Sequence, residues 1–308
     1  MQDGGYFGPE SATWKIEREA IVLLAGARAV LMQLAHPLVA AGVSAHSRYM
    51  QDPLGRADST FMLSLMLAFG STSTARQAAR TINRLHTHVY GTLPENAGDY
   101  ASGTFYRARD AKLMLWVHAT LVDSILLVYS LFIGPLSVEE QEQYYQETKR
   151  LARLLGLSAA DMPATVEDLR QYVHEMVYSN QLAATPQARE IARAVLFPPI
   201  PDALRPLMHL HLQLTCALLP QPVREIYGLD WDNKRQLLFE LATIGMRQVI
   251  PRLPISLRVL PITRKMMNRG KTNSTRSNVT LHWWQKVPSR ASHLRLRQIG
   301  RARIGPTQ

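Results

Sequence analysis

The sequence predicts an all-α fold, and three observations carry that expectation. Apolar residues recur at helical spacing over long stretches, runs rich in Val, Ile and Thr with strand alternation are missing, and capping residues precede several of the apolar runs. At 308 residues and 46% hydrophobic content, the chain can bury a sizeable core. The expected arrangement is a single large helical domain over residues 1–263, followed by an irregular basic tail over 264–308. No internal repeat is evident.

From Ser11 to about Ala35 the pattern is one helix. Ser11 or Thr13 can cap it, Glu17 and Glu19 sit in early turns where the helix dipole favours acids, and a long apolar run follows. Arg28 lies inside that run and needs a partner, because an unpaired buried guanidinium is costly. His36-Pro37 breaks the helix, and helical packing of small residues resumes up to the turn Gln51–Gly55. Arg56 and Thr60 then open an apolar run that ends at Gly70; four residues apart, they share a helix face and can converge on one acceptor. Residues 74–91 form the next helix. It places Ala79, Ile82, His86, Val89 and Tyr90 on one face and Arg76, Arg80, Arg84 and His88 on the other.

Gly91–Gly103 reads as a loop, and Asp110 precedes the most apolar helix, residues 113–134. That helix carries His118 on an apolar face and Thr120, Asp123 and Ser124 as a short polar patch. A helix of about 21 residues can cross a bilayer, but Asp123 and His118 near its middle favour a buried core helix. Ser137-Val-Glu-Glu140 is a capping box opening a helix that ends near Gly156, with Glu139, Glu140, Glu142 and Glu147 as a solvated face. Thr165 starts another helix through about Tyr178, and residues 185–196 form a further one. A proline-rich connector at 196–206 leads to helices at 203–219, around Arg224–Tyr227 and at 231–248. Residues 246–265 alternate Pro, Arg and aliphatics without a period and are expected to coat the core or lie at an interface.

The net charge of +11 belongs to the tail: from Arg264 onward there are eleven Lys/Arg and no acid, which leaves 24 basic against 24 acidic residues in 1–263. Such a tail can bind phospholipid headgroups or nucleic acid, and Trp283-Trp284 can lodge at a membrane interface. The neutral body argues against a specific nucleic-acid partner. The N-terminus lacks a signal-peptide pattern, so a cytoplasmic location is expected, compatible with peripheral membrane contact through the tail. Asn273-Ser-Thr and Asn278-Val-Thr are glycosylation patterns with meaning only for a secreted chain. The single cysteine, Cys216, excludes an internal disulfide framework and any Cys-rich metal site.

P-loop, G-x-G-x-x-G, G-x-S-x-G, His-Glu-x-x-His and Cys-x-x-Cys patterns are all missing. What remains is a set of histidines on apolar helices, His36, His86 and His118, with Arg28, Arg56 and Thr60 as polar companions. A buried neutral imidazole is either a hydrogen-bonded core residue or a ligand. Non-haem iron usually wants a carboxylate among its ligands. A haem needs only one imidazole, an apolar slot, and arginines or hydroxyls for its propionates or for bound oxygen, and this inventory suits haem better.

The run HPLVAAGVSAHSRYMQDPLGRADST, then RLHTHVYG, then YRARDAKLMLWVHATLVDS and GPLSVEEQEQYYQETKRLARLLGLSAADMPAT, resembles the family that joins latex-clearing rubber oxygenases to the mycophenolic-acid-pathway oxygenase MpaB, over roughly residues 12–260. The resemblance implies a globin-like helical core, a b-type haem (haem b), and oxygen-dependent cleavage or oxidation of an apolar, often isoprenoid, substrate, with O2 as the second partner. Rubber oxygenases carry Arg-x-x-Lys-Thr; Arg56 and Thr60 match it, and Ser59 stands where the lysine would be, which puts a distal lysine ligand and rubber itself in question. A motif like Arg-x-x-His-Ala-x-Val is matched by Asn83-Arg84-Leu85-His86-Thr87-His88-Val89, which points to His86 as the iron ligand. His118, in Trp-Val-His-Ala-Thr, is the second candidate, and Arg28 and His36 are candidate pocket groups, each with a structural reading beside it. Arg56 and Thr60 would orient the distal pocket or hold a propionate. A non-catalytic helical protein binding apolar ligands or lipids, at a membrane surface or in solution, is the alternative.

Overall fold

The computed structural model describes residues 5–268 except Arg48, Met50 and Ile200. Ser11 caps α1 (Ala12–Glu17), accepting from the Trp14 amide at 3.2 Å. After a 3-10 turn at Ala20–Leu23, α2 (Leu24–Leu34) runs to His36, and α3 (Pro37–His46) leaves at 106° with Pro37 at its first turn. The expected single helix over 11–35 is therefore interrupted. Glu19 is extended, bridges Val259 and accepts from the Arg258 guanidinium at 2.7 and 3.0 Å, so a distant segment decides the break.

Asp52 caps α4 (Pro53–Phe69), its carboxylate accepting from the Gly55 amide at 2.9 Å. A Cβ on Gly55 would sit 2.1 Å from that carboxylate, so the cap requires glycine there. Gly70 ends α4, and Ser71 caps α5 (Thr72–Thr87). The helix stops earlier than its apolar pattern implies: His88 is its C-cap, and Val89 and Tyr90 are not on it. Tyr90–Thr92 (β1) instead pairs antiparallel with Phe105–Arg107 (β2), so the expected loop Gly91–Gly103 is largely the connection of a small hairpin whose first strand takes the end of the expected helix.

Asp110 caps α6 (Ala111–Phe132), the centre of the fold. It packs against α2, and against α7 (Val138–Leu154), α8 (Val166–Val177) and, after α9 (Pro186–Leu196), α10 (Arg205–Leu218) and α11 (Gln221–Tyr227), against α12 (Asn233–Val249). Buried Trp116, Val122, Ile125 and Phe132 of α6 meet Leu31, Met32 and Leu34 of α2 in one core. Trp116 donates to the Met32 carbonyl at 3.2 Å. The helix is long and apolar enough to cross a membrane, yet more than half of its most apolar stretch is buried inside the fold. Capping boxes at Ser137/Glu140 and Thr165/Asp168 start α7 and α8.

Two further expectations are corrected. Glu147 does not join a solvated face of α7; it is buried and accepts from the backbone amides of Ala12 at 3.3 Å and Thr13 at 2.8 Å, capping α1 from another element. Residues 250–268 are not irregular: a 3-10 turn at Ile250–Arg252, α13 (Ile255–Arg258) and α14 (Pro261–Asn268) follow, with Val259, Thr263 and Met266 buried. Arg264 and Lys265 thus belong to a helix, while Asn273, Asn278, Trp283-Trp284 and the rest of the basic tail lie outside the described residues. The all-α class holds, with fourteen α-helices and one two-stranded hairpin among the described residues.

Candidate functional site

Helices α4 and α5 form a hairpin that is sealed at its turn and open at its far end. Leu65–Phe69 and Ala75, Ala78 and Ala79, near the turn, are buried, whereas Arg56 and Thr60 on α4 are exposed and His86 on α5 is half-buried. Thr60 accepts from the Arg56 guanidinium and donates to the Arg56 carbonyl at 3.0 Å, which fixes the pair on one helix face. Across the hairpin, Asn83 ties the last turns of α5 to the Leu154 carbonyl of α7 at 3.0 Å.

His86 feels this surrounding directly. Burial first, then the guanidinium charges of Arg56 and Arg109, push its imidazole below the ordinary histidine range, so it is neutral at pH 7. Neither ring nitrogen has a hydrogen-bond partner among the described residues, and Nδ1 is sealed from solvent. Arg56 is itself pulled below its ordinary value by the protein around it, although its side chain touches solvent. Both facts fit a side chain lining an open recess. Tyr49 completes the group: burial raises its phenol and the nearby Arg56 charge partly offsets that. Arg56 and Arg109 form no ion pair among the described residues, which leaves two uncompensated cations beside one neutral imidazole.

The other sequence candidates lie elsewhere. His118 on α6 stacks on Tyr145 with ring centroids 6.3 Å apart, and burial, with the Lys149 charge second, lowers its imidazole to about 4. Its Nε2 is buried without a partner. Lys149 is held by the carbonyls of Pro163 at 2.9 Å and Ala164 at 3.2 Å. His36, at the α2–α3 corner, lies 3.1 Å from the Tyr100 hydroxyl, which donates to Gln181 Oε1 at 3.1 Å. That hydroxyl therefore accepts from His36 Nε2, and Nδ1 is left buried and unpartnered. Burial lowers the His36 imidazole to about 4, against the opposing charge of Asp110. Arg28 has the partner its burial demands: Asp123 at 2.7 Å, the Ser124 hydroxyl, and the Leu218 carbonyl at 2.8 Å. Its Nε, Nη1 and Nη2 are thus each engaged by α6 or by the end of α10.

Among the described residues no three His, Cys, Asp or Glu side chains converge as a metal site would require. The polar groups around His86 are two guanidinium groups and the Tyr49 phenol.

Residues 14–248 match the family model described as "ER-bound oxygenase mpaB/B'/Rubber oxygenase, catalytic domain". The chain belongs to that family. This oxygenase catalytic domain covers the candidate residues from Arg28 to His118 and stops at the end of α12, before α13, α14 and the basic tail. Two relatives, the uncharacterized proteins Mb2261 of Mycobacterium bovis and Rv2237 of Mycobacterium tuberculosis, are each 26% identical over 225 residues, covering 71% of this chain and 84% of theirs. No solved structure matches the chain. An oxidoreductase of the oxygenase type, acting on a small molecule with O2, follows from the family.

Tyr49 and Arg109 were not among the residues singled out from the sequence. Tyr49 stands in the turn between α3 and α4 and Arg109 in the turn between β2 and α6, where no periodicity flags a facing side chain. Arg109 does come two residues after the second strand and directly before the cap Asp110, which is the one local signal that its position is fixed.

Proposed function

We propose that the chain is a haem-dependent oxygenase for an apolar small molecule, with His86 as the iron ligand. The observation that supports this most is the meeting of a neutral, unpartnered imidazole with two uncompensated guanidinium groups at the open end of one helix hairpin. A b-type haem carries two carboxylates and needs one neutral nitrogen donor, so the residues present fit it. When bound, it supplies the redox chemistry that O2 requires to react with a hydrocarbon.

The residues of the chain have separate tasks in this reading. His86 offers a nitrogen lone pair that burial first, and then the Arg56 and Arg109 charges, keep unprotonated through neutral pH. Arg56 and Arg109 offer guanidinium donors to carboxylates, and Thr60 holds the Arg56 rotamer. Ser59 has its hydroxyl committed to the Gly55 carbonyl at 2.7 Å and offers nothing toward the recess.

The visible spectrum of protein from haem-replete cells tests this reading, recorded with and without dithionite on wild type, His86→Ala and His118→Ala. A Soret band lost in the His86 variant alone is the expected result. Loss in the His118 variant alone keeps the haem and moves the ligand to α6. No band in any preparation, with iron absent by elemental analysis, overturns the haem reading and leaves apolar-ligand binding.

A further inference from the structure

We propose that the outward face of α12 is a docking surface for an anionic lipid bilayer. Helix α12 has no buried residue, yet it is firmly seated on one side: Phe239 meets Phe132 of α6 edge-on at 6.4 Å, and Met246 packs on the main core. The opposite side carries Leu237, Leu238, Leu241, Ile244 and Val249, each between 56% and 62% exposed. At about 100° per residue these five share one arc, interrupted by Lys234, Gly245 and Gln248. A surface helix ordinarily shows polar residues on that side, and a continuous exposed apolar patch marks an interaction site. Leu207 and Leu210 of α10, which packs against α12, are exposed as well.

Charge selects the occupant. After Glu240 the sequence contains fourteen Lys/Arg and no Asp or Glu. Helix α12 itself carries Lys234, Arg235 and Arg247 against Glu240 alone, and Lys234, Arg247 and Arg252 just beyond the helix are exposed. A second copy of the chain on this face would bring two cation-rich rims together, whereas phosphatidylserine-type headgroups would neutralise them while the acyl boundary takes the leucines. This surface is built by residues apart from the recess at His86, and its test needs no cofactor.

Flotation of the full chain with vesicles tests the inference. Binding is expected to phosphatidylcholine vesicles that contain phosphatidylserine, weakened by salt, and much less to phosphatidylcholine alone. Leu241→Glu/Ile244→Glu should lower the partition coefficient at least about tenfold with the circular dichroism unchanged. Wild type that fails to float, or a double variant that floats as well as wild type, overturns the proposal. So does a wild-type dimer that the double variant dissociates while neither floats. If the double variant does not fold, a nitroxide on Leu241→Cys serves instead, since Cys216 is buried. Vesicles should raise its collision rate with O2 over that with a polar nickel chelate, and unchanged accessibility overturns the proposal.

Discussion

Arg28 and Arg56 are the two arginines of the amino-terminal helices, and their surroundings make them opposites. Arg28 is buried and saturated by Asp123, Ser124 and the Leu218 carbonyl, so it clamps α2 to α6 and to the end of α10. Removing one partner of such a pair leaves a charge with nothing to compensate it. Arg28→Ala should therefore destabilise the protein by about 3–5 kcal/mol, and Arg28→Met/Asp123→Leu by clearly less, as urea denaturation would measure. Arg56 is exposed and has only Thr60 to bond, so Arg56→Gln should change stability by no more than about 0.5 kcal/mol. Its effect falls on His86, whose imidazole Arg56 helps to hold low. In the apo protein Arg56→Gln should raise the His86 titration midpoint, read from its ring proton signals by NMR. An unmoved midpoint with an unchanged fold would separate the two residues and remove the electrostatic basis of the recess.

At the scale of elements, caps decide where helices begin and distant contacts decide where they end. Helix α1 depends on both, with Ser11 at its own N-terminus and Glu147, 135 residues away from Ala12, receiving two of its free amides. Glu147→Ala leaves those amides buried without acceptors and should cost about 2–3 kcal/mol, with faster hydrogen exchange at Ala12 and Thr13 than at the far end of α7. This also explains what the sequence made legible. Ser11, Asp110, Ser137 and Thr165 announce their helices because capping is local, and the face of α5 placed Ala79 inside and the arginines outside correctly. The break at Glu19 was illegible because Arg258, 239 residues on, holds that carboxylate, and Glu147 looked solvated for the same kind of reason. Of the recess, Arg56, Thr60 and His86 could be read because helical periodicity and a resemblance both mark them. Tyr49 and Arg109, in turns, carry no periodicity, and only the fold brings them to the other three.

For the whole molecule, buried titratable groups set how stability follows pH, and they act in opposite directions. His36 and His118 are lowered from 6.5 to about 4, so the unfolded chain takes up their protons first. Their contribution is present above pH 6.5 and is lost as pH falls through that range toward 4. Glu17 is different: burial, with Glu147 nearby, raises it from 4.5 to about 7 even though the Tyr144 hydroxyl donates to it at 2.9 Å. Its contribution is present below 4.5 and is lost as pH rises to about 7, because the unfolded chain then releases the proton that the folded chain keeps. Between 4.5 and 6.5 two histidines oppose one glutamate, so acidification should destabilise the wild type there on balance. Glu17→Gln keeps an acceptor for Tyr144 and removes the ionisation. The variant should melt at a higher temperature than wild type near pH about 8, and the advantage should shrink to nothing as the pH approaches 4.5. An advantage that stays the same size across that whole range would assign the effect to packing around the amide and not to the proton.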